Sequence, residues 1–221
     1  MLGALSKIKD LASSPQNSAI SMSINASLPL SFNVLRKTGF NKYELRLGRK
    51  SLLTKSAKPL EIGAHYWGEA SGIKDSIIIK NMLKKPLITP VAEAGIELAE
   101  GLVQNGAPWF LKAVQEGLIK AKNVSEFGVY SKMLLALSEG VASIGFVRND
   151  RLGLLQLSKH ELYVIFDELG PVKFKLQHEL MAHSPFFSVV SLLKQNGVNA
   201  AQSESVRPLW QPKNGLMDGV A

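Results

Sequence analysis

The spacing of apolar residues changes along the chain, and the change predicts two kinds of structure. In the first third, apolar and polar residues alternate: Tyr43, Leu45 and Leu47 face one way, Glu44 and Arg46 the other. This period of two is typical of a half-buried strand. Five such runs, at the spacing of about 8–12 residues expected of a small barrel, predict five short antiparallel strands. They cover residues 30–36, 42–47, 51–56, 64–70 and 75–82.

From residue 91 onward the apolar residues recur at every third or fourth position, which is the period of an amphipathic helix. Asn105-Gly106 predicts the end of a first helix, and Pro108 suits the first turn of a second. Ser125 is placed to cap a third helix. The apolar seam of this third helix consists of Phe127, Tyr130, Leu134, Leu137, Val141 and Ile144. The pattern predicts a three-helix bundle.

Met133 and Leu135 lie beside this seam and widen it. The ordinary use of such residues is burial in a core. The alternative is a groove that receives a helical segment of a protein partner. Both interpretations stay open, and substitutions at these two positions separate them.

The last third returns to strands. A hairpin around Ser158-Lys159-His160 is predicted from residues 151–157 and 161–166. After the turn signal Gly170-Pro171, the alternation of Val172, Phe174 and Leu176 with lysines predicts a further strand. No strand is predicted between Leu176 and Pro185.

A final helix is predicted from Pro185, with four apolar residues facing inward: Phe186, Val189, Val190 and Leu193. The tail is polar and holds a short predicted strand near residues 203–206. Trp210 is either docked on the body of the protein or exposed as an anchor for a partner, and we expect docking. The candidate contact residues for a protein partner are Met133, Leu135, Val172, Phe174 and Trp210.

Together these elements predict an α+β fold: a small basic antiparallel β-barrel, OB-like or SH3-like, followed by a three-helix bundle with a small antiparallel sheet and a final helix. Lys84-Lys85-Pro86 and Pro90 predict a linker between two domains. The predicted parts are a flexible N-terminus (1–23), a β-barrel-like domain (24–86), a helical bundle with a β-hairpin (91–198) and a mostly irregular tail (199–221).

The charge supports this division. The chain carries a net charge of +8, and residues 1–90 hold 14 Lys and Arg against 5 Asp and Glu. Residues 91–221 hold 12 against 13. A basic barrel predicts a phosphate-binding surface, with Arg36, Lys37, Arg46, Arg49 and Lys50 as candidate nucleic-acid contacts and Phe40, Tyr43, Tyr66 or Trp67 as stacking platforms. The alternative is that these cations are the solvated face of strands protected against aggregation.

Catalytic motifs are not found in the sequence. It contains no cysteine, which excludes thiolate chemistry and disulfides. His178 and His183 resemble a zinc-protease pair, but they are five residues apart, about 140° around a helix, whereas such a site needs a separation of four. No Gly-rich phosphate-binding motif and no nucleophile elbow is present. We therefore predict a non-enzymatic protein without a metal or other cofactor.

Two segments carry a family resemblance. Glu168-Leu169-Gly170-Pro171-Val172, the alternation after it and the helix ending at Leu193-Lys194-Gln195-Asn196-Gly197-Val198 resemble the C-terminal domain of flagellar hook-length control proteins. That family has a strand, a helix and a Gly-containing return to a last strand. The segment from Tyr43 to Trp67, with Pro59-Leu60-Glu61-Ile62-Gly63, is similar to small barrels in long proteins of the same system.

The helical middle with a terminal sheet is also similar to the flagellar export co-chaperones that bind the flagellin chaperone FliS. These resemblances imply an accessory role in flagellar export or assembly, with FliS or another export component as the protein partner. They imply an association with the export apparatus, and the following features of the sequence predict a cytoplasmic protein. The first 14 residues contain no continuous apolar stretch, so no secretory signal is expected, and Lys132 and Glu139 interrupt the most apolar long window. Nucleic-acid binding by the basic barrel is the alternative function.

Overall fold

The computed structural model describes residues 6–9, 28–56, 58–73, 76–88, 91–176 and 179–212. The chain divides into two units. Unit 1 consists of Met1–Pro86, Glu168–Gly170 and Phe186–Leu192. Unit 2 consists of Leu87–Asp167, Pro171–Pro185 and Leu193–Ala221. The division after Pro86 falls at the predicted linker, but unit 1 also takes two short segments from the region predicted to form the second domain.

Unit 1 is built on antiparallel strands. They are β1 (Ser6–Lys9), β2 (Leu30–Gly39), β3 (Lys42–Leu47), β4 (Lys50–Lys55), β5 (His65–Ile73) and β6 (Ser76–Lys84). The five strands from β2 to β6 are the five predicted, and they neighbour one another in the order β4-β3-β2-β5-β6. Two tight turns use left-handed backbone, at Asn41 between β2 and β3 and at Gly48 between β3 and β4.

The predicted barrel of five strands is wrong, because these five strands do not close on one another. The strands at the two ends of the order, β4 and β6, each pair with β1 and not with each other. The first 23 residues were predicted to be flexible. Residues 6–9 instead form the strand β1, and residues 1–5 and 10–27 lie outside the described residues.

The core of unit 1 follows from the alternation in its sequence. Inward positions of the strands supply the buried apolar cluster: Phe32, Val34, Tyr43, Leu45, Leu47, Leu52, Leu60, Tyr66 and Ile79. The rings of Phe32 and Tyr66 stack with their centroids 5.7 Å apart. Glu69 on β5 accepts hydrogen bonds from the Ser188 backbone N–H at 2.8 Å and the Ser188 hydroxyl at 3.0 Å, so it caps the first turn of a helix that comes 119 residues later.

Unit 2 contains two helices and a six-stranded sheet. The helices are α1 (Gly95–Lys120) and α2 (Val124–Ser138). The strands are β7 (Ala142–Arg148), β8 (Arg151–Leu157), β9 (Glu161–Phe166), β10 (Gly170–Leu176), β11 (Leu180–Ser184) and β12 (Ala200–Gln202), in the order β12-β11-β10-β9-β8-β7. The last strand is parallel to β11. A third helix, α3 (Phe187–Gln195), follows β11 and has residues in both units.

The predicted three-helix bundle is wrong. The break at Asn105-Gly106 exists as a bend inside α1, where Gly106 has φ +79° and ψ −176°. The predicted third helix, however, ends at Ser138. Gly140 takes a left-handed conformation, and the backbone N–H groups of Gly140 and Val141 return to the carbonyl groups of Leu137 and Ala136. This is a Schellman motif, which stops a helix. Val141 and Ile144 therefore leave the helix, and Ile144 lies in β7.

The terminal sheet is larger than predicted. The hairpin of β8 and β9 is confirmed at its predicted bounds. The expectation of no strand between Leu176 and Pro185 is wrong, since β11 lies there and pairs antiparallel with β10. The short tail strand lies at Ala200–Gln202 and not near residues 203–206.

The core of unit 2 joins α1 and α2 to one face of the sheet. Its buried residues are Ala92, Leu98, Leu102, Phe110, Val114, Met133, Ala142 and Ile144. Alternate residues of β7 face the helices because a strand places successive side chains on opposite faces. Among the described residues, no helix combines the length and the apolar character that a membrane crossing requires.

Candidate functional site

The connection between α1 and α2 carries large apolar side chains that are exposed to solvent. Ile119 is 83 % exposed, Val124 73 % and Phe127 51 %. We call these three residues the corner patch. They lie within nine residues of sequence, at the last turn of α1 and the first turn of α2. Burying such side chains is worth about 1.5–3 kcal/mol each, so their exposure together marks a surface suited to contact.

Hydrogen bonds fix the backbone of the corner. Asn123 is the N-cap of α2, and its side-chain oxygen accepts from the Glu126 backbone N–H at 2.9 Å. The Glu126 carboxylate accepts in turn from the Lys122 backbone N–H at 2.8 Å. This reciprocal pair resembles a capping box, and it satisfies N–H groups that a helix start leaves open. The direction of α2 is therefore set, and Val124 and Phe127 are held outside.

Sequence reasoning missed two of the three corner residues. Ile119 stands outside the stripe of the second predicted helix, which consists of Phe110, Val114, Gly117, Leu118 and Ala121. Val124 precedes the residue predicted to be the cap. Phe127 was assigned to an inward seam, but the inward side of α2 is instead marked by Met133 and Ala136, both fully buried. The sequence did contain a signal for the exposed residues Ile119 and Val124: both are apolar, but neither belongs to the predicted inward-facing stripe of its helix.

The predicted contact residues for a protein partner do not form one surface. Met133, Val172 and Trp210 are buried, which corrects their assignment to a binding surface. Phe174 is half-buried, and Leu135 is 36 % exposed. Packing explains the difference, since Met133 belongs to the core cluster of unit 2, and Trp210 packs with Ala136 and Val141.

The basic residues of unit 1 lie on the outer face of its sheet and at its turns. Arg36 and Arg46 are both exposed, and Arg36 forms an ion pair with Glu44 at 2.6 Å. Lys37 is exposed at the far end of β2, while Arg49 and Lys50 lie at the turn between β3 and β4. The predicted cations are thus spread from one end of the β2–β3 hairpin to the other.

The predicted stacking platforms are corrected by burial. Tyr43 and Tyr66 belong to the core of unit 1, and Trp67 is buried with the Lys85 ammonium 4.9 Å from the centre of its ring. Phe40, by contrast, is 86 % exposed. An aromatic ring presents a stacking face only where solvent reaches it, so Phe40 is the candidate that survives among the four.

Two ionisable groups have shifted pKa values, each with a simple cause. Burial raises the pKa of Tyr163, because the apolar surroundings disfavour the phenolate. A hydrogen bond from the Lys84 ammonium to Glu61 raises the pKa of Lys84, which lies in solvent. No group of three or more His, Asp or Glu side chains in the described part of the chain is arranged to hold a metal ion. His178 lies outside the described residues.

No protein-family model, no curated protein and no solved structure matches this chain. The corner patch of unit 2 and the basic outer face of unit 1 are therefore the features from which function is inferred.

Proposed function

We propose that this protein is a non-enzymatic, protein-binding accessory factor of flagellar export or assembly, and that it binds its partner through the corner patch. The exposure of Ile119, Val124 and Phe127 carries the proposal. Contact with a partner removes this apolar surface from water, which is the main favourable contribution to most protein–protein association.

The corner patch suits an amphipathic helix of the partner. Val124 and Phe127 are three residues apart on α2, so they share a helix face, and Ile119 precedes them in the last turn of α1. Lys120, Lys122 and Glu126 flank these apolar side chains. An apolar centre with a charged rim is the ordinary anatomy of a protein interface, and a helix presents apolar anchors at matching intervals.

The flagellar assignment rests on the family resemblance. Supporting it, β10 is followed, after the further strand β11, by α3 and then β12, which resembles the strand, the helix and the return to a last strand of the hook-length control proteins. The fixed backbone at Asn123 also favours a binding role, because a preorganised surface loses little conformational entropy on binding. In this proposal the protein acts in the cytoplasm at the export apparatus, and the flagellin chaperone FliS or another export component is its partner.

The proposal is tested with purified flagellar export components from the same genome, FliS among them, in a titration followed by calorimetry. The variant Ile119→Asp/Phe127→Asp is expected to weaken binding at least tenfold, because it places two charges in an apolar contact. Val103→Asp is the matched control, since Val103 is an exposed apolar residue on the first half of α1. It should bind as the wild type does.

Circular dichroism and thermal melts serve as the control for folding, and both variants should keep the native helix content. A double variant that stays folded and binds with full affinity would move the interface away from the corner. A wild-type protein that binds none of the export components would overturn the flagellar assignment.

A further inference from the structure

Phe40 protrudes from unit 1 among lysines. It lies in the tight turn between β2 and β3, next to Asn41, which has the left-handed backbone conformation (φ +54°) that such turns use. Four exposed lysines surround this turn in the sequence and the sheet: Lys37, Lys42, Lys55 and Lys58. We call Phe40 and these lysines the basic tip.

Hydrogen bonds hold the parts of the basic tip together. The Asn41 carbonyl accepts from the Ser56 backbone N–H at 2.9 Å, so the end of β4 is tied to the hairpin turn. The Ser56 hydroxyl donates to the Lys58 carbonyl at 2.6 Å. Lys58 is thereby fixed beside the turn that carries Phe40, although it lies outside the strands.

The charges of the basic tip are not balanced within the sheet. Lys42 and Lys55 are directly opposite each other on β3 and β4. Like charges in such a pair destabilise a sheet, because the Cβ atoms are only about 4.5–5.5 Å apart. Within the described residues, none of the four lysines forms an ion pair with a carboxylate. An anion bound at the tip would remove this repulsion.

A row of cations continues from the tip along the outer face. Lys42, Glu44 and Arg46 occupy alternate positions of β3, so their side chains share one face at intervals of about 6.6 Å. Arg36 pairs with the carboxylate of Glu44 and so neutralises the acidic member of the row. Arg49 follows at the turn after β3. The face therefore presents an aromatic ring at one end and a line of cations behind it.

We propose that the basic tip and this row bind a single-stranded nucleic acid, with a base stacked on Phe40 and phosphates held by Lys42, Lys55 and Arg46. Aromatic rings that interrupt a track of cations are the means by which proteins bind single strands without sequence preference. A lipid surface fits less well, because the described tip offers one aromatic ring and no neighbouring exposed apolar side chain to enter a bilayer. This surface belongs to unit 1 and is independent of the corner patch.

The first test uses the full chain and a fluorescein-labelled oligothymidylate of twelve nucleotides, with binding followed by anisotropy. Affinity is expected to fall with salt, with a slope of about −0.7 in log–log form for each phosphate contact. Phe40→Ala should weaken binding about fivefold or more, as expected for loss of one stacked base. Phe187→Ala removes a phenylalanine that is 65 % exposed on α3 and should change nothing.

The second test compares two variants with the same loss of charge. Lys42→Gln/Lys55→Gln should reduce the salt slope by about 1.4, whereas Lys112→Gln/Lys159→Gln, on exposed positions of unit 2, should leave it unchanged. Equal effects of both double variants, with no effect of Phe40→Ala, would mean general attraction of polyanions and overturn the proposal.

Absence of oligonucleotide binding at 50 mM salt would overturn the proposal as well. So would Phe40-dependent binding to phosphatidylserine vesicles in place of the oligonucleotide, which would assign the tip to a lipid surface. None of these outcomes bears on the corner patch, because its residues are unchanged in every variant used here.

Discussion

The side-chain amide of Gln156 forms two hydrogen bonds with the backbone of Trp210. Its Nε2 donates to the Trp210 carbonyl at 2.7 Å, and its Oε1 accepts from the Trp210 N–H at 3.2 Å. The same Oε1 accepts from the Leu209 N–H at 2.8 Å, and Nε2 also donates to the Ser143 hydroxyl at 3.0 Å. Gln156 is buried on β8, so three of these hydrogen bonds fix the tail to β8 and the fourth joins β8 to Ser143 on β7.

Gln156→Leu should therefore destabilise unit 2 by about 2–4 kcal/mol. The substitution leaves several buried backbone and hydroxyl groups without partners, and each such group costs about 1–3 kcal/mol. Urea unfolding followed by tryptophan fluorescence measures the loss. Gln104→Leu, at an exposed position of α1, is the matched control and should change stability by less than about 0.5 kcal/mol. Equal stability of the two variants would show that the hydrogen bonds of Gln156 do not stabilise unit 2.

A charged side chain should reduce stability strongly at Met133 of α2 and only slightly at Leu135, two residues further along the same helix. Met133→Lys should lower the free energy of unfolding by about 3 kcal/mol or more, because Met133 is fully buried in the core of unit 2 and a buried charge is costly. Leu135→Lys should stay within about 1 kcal/mol of the wild type, since Leu135 is partly exposed. Thermal melts and urea titrations of the two variants test this; a reversal of their order would contradict the orientation of α2.

Replacing a glycine by alanine should have opposite effects on stability at two positions, Gly106 in α1 and Gly128 in α2. Gly106 has φ +79° and ψ −176°, a conformation that essentially glycine alone adopts, so Gly106→Ala should destabilise the protein by about 1–3 kcal/mol. Gly128 in α2 has open space at its Cβ position and no positive φ, so Gly128→Ala should stabilise it by about 0.5–1 kcal/mol. Chemical denaturation gives both values. A neutral Gly106→Ala would show that α1 is straight there in solution.

Stability should fall in alkali because of Tyr163. Burial raises the pKa of Tyr163 above its ordinary value near 10, so the folded state keeps the proton that the unfolded state releases. The contribution of Tyr163 to the free energy of unfolding is fully present below pH 10. It is lost as pH rises above 10, and the free energy of unfolding then falls by up to about 1.4 kcal/mol per pH unit. Urea titrations between pH 9 and 11 measure it. Tyr163→Phe should lose less stability over this range; parallel slopes would mean that the phenol reaches solvent.

Short strands with strict alternation could be predicted, because the alternation within one strand is enough to indicate which of its side chains are buried. The alternation around Leu45 and the turn at Gly48 led to β3 at its observed bounds. The hairpin of β8 and β9 follows for the same reason. Closure of a sheet was not predictable in this way, since the pairing of β1 with both β4 and β6 depends on contacts far apart in the sequence.

The end of α2 shows a different kind of failure. Val141 and Ile144 continue the helical spacing of Leu134 and Leu137, so periodicity alone carried the predicted helix through Gly140. The glycine was a local signal for a helix end, and it outweighs the spacing because it permits the Schellman turn. The corner patch was missed for a related reason: periodicity assigns apolar residues to a core and does not single out those that remain outside.

The hydrogen bonds between Glu69 and Ser188 have a consequence for the order in which the protein is made. Unit 1 begins with the first strands but includes Phe186–Leu192, so it lacks part of its structure until residue 192 has left the ribosome. By then all of α1, α2 and the strands β7 to β11 have already been synthesised. A nascent chain halted near Pro86 would hold the six strands β1 to β6, but the Glu69 carboxylate would still lack its hydrogen-bond donors in α3. Unit 1, although it starts first, is therefore completed only after most of the elements of unit 2 have been made.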